Sequence, residues 1–529
     1  MKSYGTYFKN KYAICMYGIL FISAILPAIL AVKNIKISPD SMMYSLVSQE
    51  IISGNGISLP MIFDMQDNHV FINGTIPFVL EPPLFPILLA LLGGITPQSF
   101  LAAQILNVIS HAVTSIFTFL LIKKIYNNNG MALLTGILVS ISLPLLWNTH
   151  RILSEPLFIA LTVAVIYFLT LARDSDRRRF NRNLFIASIC TCAGILLRSA
   201  GAGLIPVFLW GTFILVKNKN IKIKHVSNII TTMLPFITAG AVFIRAYIMS
   251  GSIHGWIPSS PDRSYFDAFS VTIRMIFGQF DIGESHIILI AIFMVLFALY
   301  IIINADVRRE LLKYIHSGLD LIIFFIISYT ALIMYGMAKS QTVIEVRYMS
   351  PLAPFIFILC VLIIAAVWKN IRLKGFSKLS LCGLILSLGI ITFGNFYKTY
   401  VNSSALFSKD AGHYRILNSP TYQWIKENYG ENVIITSNRP YHLSFFGGYS
   451  TIRLPHKRFE KNTPIPDNME FFLPNRMANL RSQVLALFDQ ADEQYEGKYV
   501  AGLFNKREDD DNFVLMREFS DGVVYQLKE

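Results

Sequence analysis

The chain has 529 residues, of which 53% are hydrophobic and 15% charged, with a mean hydropathy of +0.50 and a formal net charge of +13. A soluble protein of this length carries about a quarter charged residues, so the composition excludes a surface that meets water throughout. The positive charge sits in short loops between apolar blocks, and there is no phosphate-cradling glycine motif, so neither nucleic acid nor a nucleotide is an expected partner.

The apolar blocks are about twenty residues long, enough to cross a bilayer core of about 30 Å. They lack the alternation of barrel strands, so they read as helices. The first, 12–32, follows Lys2, Lys9 and Lys11 and has no small-residue cleavage site behind it, so it is expected to remain as the first span. Segment 33–99 follows. It holds Asp40, a Gly-Asn-Gly turn at 54–56 and the run Leu84–Leu92 after Pro82-Pro83, too short to span and expected to be re-entrant or interfacial. Further spans are expected at 100–122, 131–147, 152–172, 184–198, 202–216, 228–249, 285–303, 319–337, 351–368 and 379–397.

Alternate connections carry the lysine and arginine clusters. These are Lys123-Lys124; Arg173 with Arg177-Arg178-Arg179 and Arg182; Lys217 to Lys224; Arg308-Arg309 with Lys313; and Lys369 to Lys378. The positive-inside rule makes these loops and the N-terminus cytoplasmic. Eleven spans then leave the tail from Lys398 outside. Its composition is that of a soluble domain. It predicts a helix at 420–429, strands near Val433–Thr436 and Thr451–Leu454, a helix near 475–490, and two strands flanking an acidic turn at Glu508–Asp511. The expected fold is an all-α polytopic membrane domain over 1–397, of about eleven transmembrane helices, with an extracytoplasmic α/β domain over 398–529. The five cysteines, Cys15, Cys190, Cys192, Cys360 and Cys382, lie in apolar segments and read as packing residues.

Ionisable residues at membrane depth need a reason. Topology gathers Asp40, Glu81, His150-Arg151, Glu155, Arg198, Lys339, Glu345 and Arg347 near the outer surface, although they come from separate parts of the chain. Carboxylates beside guanidinium groups suit a reaction with a phosphate leaving group. One carboxylate takes a proton from the nucleophile, and the arginine forks hold the phosphate. Without a nucleotide motif, an enzyme on the outer face fits a lipid-linked donor.

These stretches resemble the polytopic GT-C glycosyltransferases, among them the protein O-mannosyltransferases and the lipid A aminoarabinose transferases. "ISPDSMMYSLVSQEIISGNGIS" (37–58) is similar to their first outer loop through Asp40, Tyr44, Gly54 and Gly56. "EPPLFPILLALL" (81–92), "LSEPLFIAL" (153–161), "LLRSAGAGLIP" (196–206) and "VRYMSPLAPFI" (346–356) resemble four later segments, and 422–455 resembles their outer tail. The resemblance implies an integral protein of the bacterial inner or plasma membrane. It implies an inverting transfer of a sugar from a polyprenyl phosphate to a glycan, lipid or protein acceptor. Asp40 becomes the catalytic carboxylate, with Glu155 shaping the same cavity. Tyr44, Glu81, Arg151, Arg198, Lys339, Arg347 and Tyr348 become substrate contacts, with Arg198 and Arg347 near the phosphate. Two departures, Ser41 where many members have a second acid and Glu81 where some have a basic residue, leave metal use open between none and a divalent cation, magnesium or manganese.

A second reading stands beside each residue: Asp40 as a helix N-cap, Glu155 as a cap after Ser154, the arginines as snorkelling groups, and His69 and Asp509–Asp511 as solvated loop residues. Two rival functions also stand, a flippase for lipid-linked sugars and a non-catalytic relative. The absence of an internal repeat weighs against the flippase.

Overall fold

A computed structural model describes residues 2–33, 36–62, 74–97, 99–175, 177–219, 226–251, 264–278, 304–339, 345–370, 412–454, 469–488 and 493–528. Among these, seven helices are long and apolar enough to cross a membrane: Ile14–Val32, Leu101–Tyr126, Glu155–Arg173, Arg178–Leu197, Asn228–Ser250, Ser317–Ala338 and Val346–Ala366. The chain is an integral membrane protein. The block expected as one span at 131–147 is two helices, Asn129–Ser140 and Leu143–Thr149, bent by 49°. Pro144 sits in the first turn of the second helix, where its missing N–H costs nothing but a continuous helix cannot pass through. The block at 202–216 is a shorter helix, Leu204–Lys219. The spans expected at 285–303 and 379–397 lie outside the described residues, as does His69.

We number the helices that position the site as α1 (Lys2–Val32), α2 (Pro39–Ile52), α3 (Leu84–Leu91), α4 (Leu101–Tyr126), α5 (Asn129–Ser140), α6 (Leu143–Thr149), α7 (Glu155–Asp174), α8 (Arg177–Leu197), α9 (Leu204–Lys219) and α10 (Val226–Ser250). At the centre, α7 packs against both α4 and α8, and α1 and α5 close on α4. The face of the bundle away from the soluble domain is locked by a fork. Arg173 at the end of α7 gives two hydrogen bonds to Asp320, 2.6 and 2.7 Å, and Trp210 Nε1 donates to the same carboxylate at 3.1 Å. A bidentate pair suits this depth because it satisfies both charges without water.

The short apolar run after Pro82-Pro83 is α3, eight residues long, and it packs against α2. The Gly-Asn-Gly turn ends α2. Gly54 and Gly56 have φ of 85° and 75°, a region that costs a side chain about 1 kcal/mol.

In the loop before the second span, β1 (Ser58–Leu59) pairs antiparallel with β3 (Ile76–Pro77), and β2 (Met61–Ile62) joins the sheet of the soluble domain, whose other strands are β4 (Ile434–Ser437), β5 (Ser450–Arg453), β6 (Val484–Phe488), β7 (Phe513–Phe519) and β8 (Gly522–Leu527). That sheet has six strands in the order β2-β5-β4-β6-β8-β7. Strands β2, β5, β4 and β6 are parallel, whereas β8 and β7 are antiparallel. The edge strand β2 ties the domain to the membrane part. Thr451 N–H donates to Pro60 O at 3.0 Å, and Ser450 Oγ to Gly74 O at 2.7 Å. The sheet is therefore not built from residues after 398 alone.

Two expectations for the tail are corrected. The helix expected over 475–490 stops at Asn479, and 484–488 is the central strand β6. Arg481, with φ of 59°, breaks the helix, and Val-Leu-Ala-Leu-Phe is buried on both faces of the sheet. The two last strands do not flank Glu508–Asp511. That segment leads into β7, and the hairpin turn is at Ser520-Asp521. The helix at 420–429 is observed over Pro420–Asn428, with Ser419 Oγ accepting from Tyr422 N as its cap.

Candidate active site

The site lies where α2, the start of α7, the end of α8 and a short 3-10 turn at Val346–Leu352 meet. Its parts are set by local sequence. Ser38 caps α2 by accepting from Ser41 N at 3.2 Å, Pro39 takes the first helical position, and Asp40 falls in the first turn. Asp40 is thus not the N-cap. A negative charge there is stabilised by the helix dipole, worth about 0.3–1 kcal/mol. Glu155 opens α7 after Ser154, makes no capping bond, and is 2% exposed.

One chain of ion pairs joins four of the residues. Arg198 Nη1 lies 2.8 Å from Glu155 Oε2 and donates to Ser154 Oγ at 3.0 Å. Arg347 Nε lies 3.8 Å from Glu155 Oε1 and 3.1 Å from Glu345 Oε2, and its Nη2 donates to Asp40 Oδ2 at 2.5 Å. Burial grades along the chain. Arg198 and Arg347 are 7% and 9% exposed, whereas Asp40 is 39% exposed. The ring of Tyr348 sits 5.3 Å from both guanidinium carbons, so one aromatic ring spaces the two cations. Tyr329 OH donates to Tyr348 O at 2.8 Å and fixes that turn.

The segment after Arg198 also positions it. Ser199–Gly203 forms a 3-10 turn folded back on the end of α8, and a Cβ on Gly201 would lie 2.2 Å from Gly194 O. Gly201→Ala is expected to lower thermal stability by about 1–3 kcal/mol, since backbone meets backbone and neither can move aside. Gly240→Ala, with nothing within 4 Å of the added Cβ, is the control. Unfolding curves in detergent that coincide for the two variants would refute the close approach.

The other expected contacts fall as follows. Tyr44 is buried beside the cluster, and burial raises its hydroxyl well above the usual range, so it is a neutral phenol. Its ring meets Phe85 of α3 edge-on at 5.0 Å. Arg151 stacks over Trp147 at 4.7 Å and lies 3.9 Å from Glu345, at the rim of the cluster. His150 is buried, and burial with the adjacent Arg151 pushes it down to about 4, so it adds no positive charge at neutral pH. Lys339 ends its helix, and its side chain is outside the described residues. Glu81 lines a groove of about 210 Å³ with Pro82, Pro83, Ser199, Arg245 and apolar residues of α8 and α10.

Sequence reasoning missed Ser154 and Tyr329 as partners. A lone serine before a helix and a tyrosine inside an apolar span give no signal of their own. Among the described residues no group of three or more His, Cys, Asp or Glu is placed to hold a metal ion. Asp40, Glu155 and Glu345 are directed at arginine, which does not suit a cation site.

The chain folds as a polytopic helical bundle with a soluble α/β domain, and the charge cluster lies on the face that carries that domain. The chain is similar over nearly its whole length to ArnT from Cupriavidus metallidurans. The crystal structure bound to undecaprenyl phosphate matches with a TM-score of 0.58 at 10% identity, covering 98% of each chain. The apo crystal structure matches with a TM-score of 0.56 at 12% identity, covering 99% of this chain and 98% of that one. Residues 80–243 match the family model of the dolichyl-phosphate-mannose-protein mannosyltransferases. No curated protein matches in sequence.

Proposed function

We propose that the chain is a glycosyltransferase that moves a sugar from a polyprenyl phosphate to an acceptor on the non-cytoplasmic face of a bacterial inner membrane, with inversion. The observation that carries this is the run Asp40–Arg347–Glu155–Arg198, in which two buried arginines alternate with two carboxylates of unequal exposure.

Asp40 has the exposure a general base needs to meet a water-borne acceptor. Glu155 is sealed between two guanidinium groups and acts as the post that orients them. The acceptor oxygen attacks the anomeric carbon and gives its proton to Asp40. The bond from that carbon to the phosphate oxygen breaks, and its electron pair stays on the phosphate. Arg198 and Arg347 stabilise the charge that develops there. Arg347 is held by Asp40, so a phosphate that takes over Arg347 releases Asp40 for its task. The bound undecaprenyl phosphate of the ArnT structure supports a lipid of this class as the carrier.

The test is purified chain in proteoliposomes with undecaprenyl-phosphate sugars and mass spectrometry of the products. Release of undecaprenyl phosphate with glycosylation of an acceptor is the expected result. Movement of the intact lipid-linked sugar between leaflets, without product, would establish the flippase instead.

A further inference from the structure

Glu81 stands at the seam between the charge cluster and the apolar groove. Its Oε2 is buried and has no hydrogen-bond partner, while Ser199 N–H donates to the carboxyl group. Pro82, Pro83 and Ala239 to Ala246 of α10 continue the groove, and α10 turns Phe243 and Ile244 outward to the bilayer. An amphiphile with an anionic head and an apolar tail fits that seam. An ionised carboxyl there would repel the phosphate that the arginines attract.

We propose that Glu81 is the acid of the transfer, a neutral carboxylic acid that gives its proton to the phosphate oxygen departing from the sugar. The inference rests on the lipid-phosphate donor proposed above. In the step, the acceptor O–H proton goes to Asp40, and the new bond forms at the anomeric carbon. The electron pair of the broken bond goes to the phosphate oxygen, and the Glu81 proton joins that oxygen. The products are a glycosylated acceptor, a polyprenyl phosphate carrying that proton, protonated Asp40 and ionised Glu81. The ionised Glu81 then repels the phosphate and favours its release.

Burial favours the neutral form of Glu81. Arg198, just past α8, and the Ser199 amide oppose this, and Asp40 on α2 and Glu155 on α7 reinforce it. Tyr44 faces the same group as a neutral phenol, and Arg245 lines the groove while donating to Phe78 O at 2.7 Å.

The experiment compares wild type with Glu81→Gln in nanodiscs, using undecaprenyl phosphate as the binding probe and the proteoliposome transfer assay for turnover. The amide keeps a donor of the same shape and cannot lose a proton. Wild-type affinity should fall with rising pH relative to the variant, by up to about tenfold per pH unit above the carboxyl's own pKa. Titration of the lipid phosphate is common to both and cancels in the ratio. Turnover of the variant should drop about 10²–10⁴-fold, with the affinity ratio restored to pH dependence in Glu81→Asp. A pH-independent affinity ratio together with wild-type turnover in Glu81→Gln would overturn the acid role and leave the donor assignment standing. Failure of wild type to bind undecaprenyl phosphate at any pH would overturn both.

Discussion

Asp40→Asn is expected to lose about 10²–10⁴-fold in turnover while binding undecaprenyl phosphate at least as tightly as wild type. The two halves of that result have separate causes. The amide cannot take the acceptor's proton, so the chemical step slows. It also no longer offers a charge to Arg347, which Asp40 holds at 2.5 Å, so the guanidinium is freer to meet a phosphate. Folding should change little. Asp40 is 39% exposed, and an ion pair with one partner that exposed is worth about 0–1 kcal/mol. Slower turnover with unchanged or lower Kd is not what unfolding produces, so the split is diagnostic. Turnover equal to wild type in Asp40→Asn would remove the base from the mechanism.

Much of this site was legible in the sequence because its residues break the rule of their surroundings. Arg198 and Arg347 stand at the ends of apolar runs, where a charge is costly, and Asp40 and Glu155 stand at helix starts on the same side of the bundle. What the sequence could not express was pairing. The contact of Arg347 with Asp40 spans 307 positions, and no local pattern records it. Nor could the residue type alone separate the two carboxylates. Glu155 and Asp40 look alike as first-turn acids, and their burial, 2% against 39%, is what sets them apart in the structure. The tail failed for a different reason. Val484–Phe488 follows a helical stretch closely enough that an unbroken apolar run could extend it, and periodicity alone does not distinguish a buried strand from a buried helix. The two-residue strand β2 is too short to carry any pattern, yet it joins the first loop to the soluble domain.

The burial of Glu155 gives the second large effect. Glu155→Gln leaves Arg198 and Arg347 facing each other across Tyr348 without the charge between them, and should destabilise the protein by about 3–5 kcal/mol. Arg198→Met should cost less, because Glu155 keeps Arg347 at 3.8 Å. Removing both charges together, as Glu155→Gln with Arg198→Met, eliminates the unpaired ion and should recover most of the loss, so the two single effects will not add. Transfer activity should stay lost in the double variant, since the phosphate then has Arg347 alone. Thermal unfolding of the four proteins, read beside turnover, separates what this pair does for the fold from what it does for the reaction. Additive losses of stability would mean that Glu155 and Arg198 do not depend on one another, and the post on which the two arginines are said to hang would have to be found elsewhere.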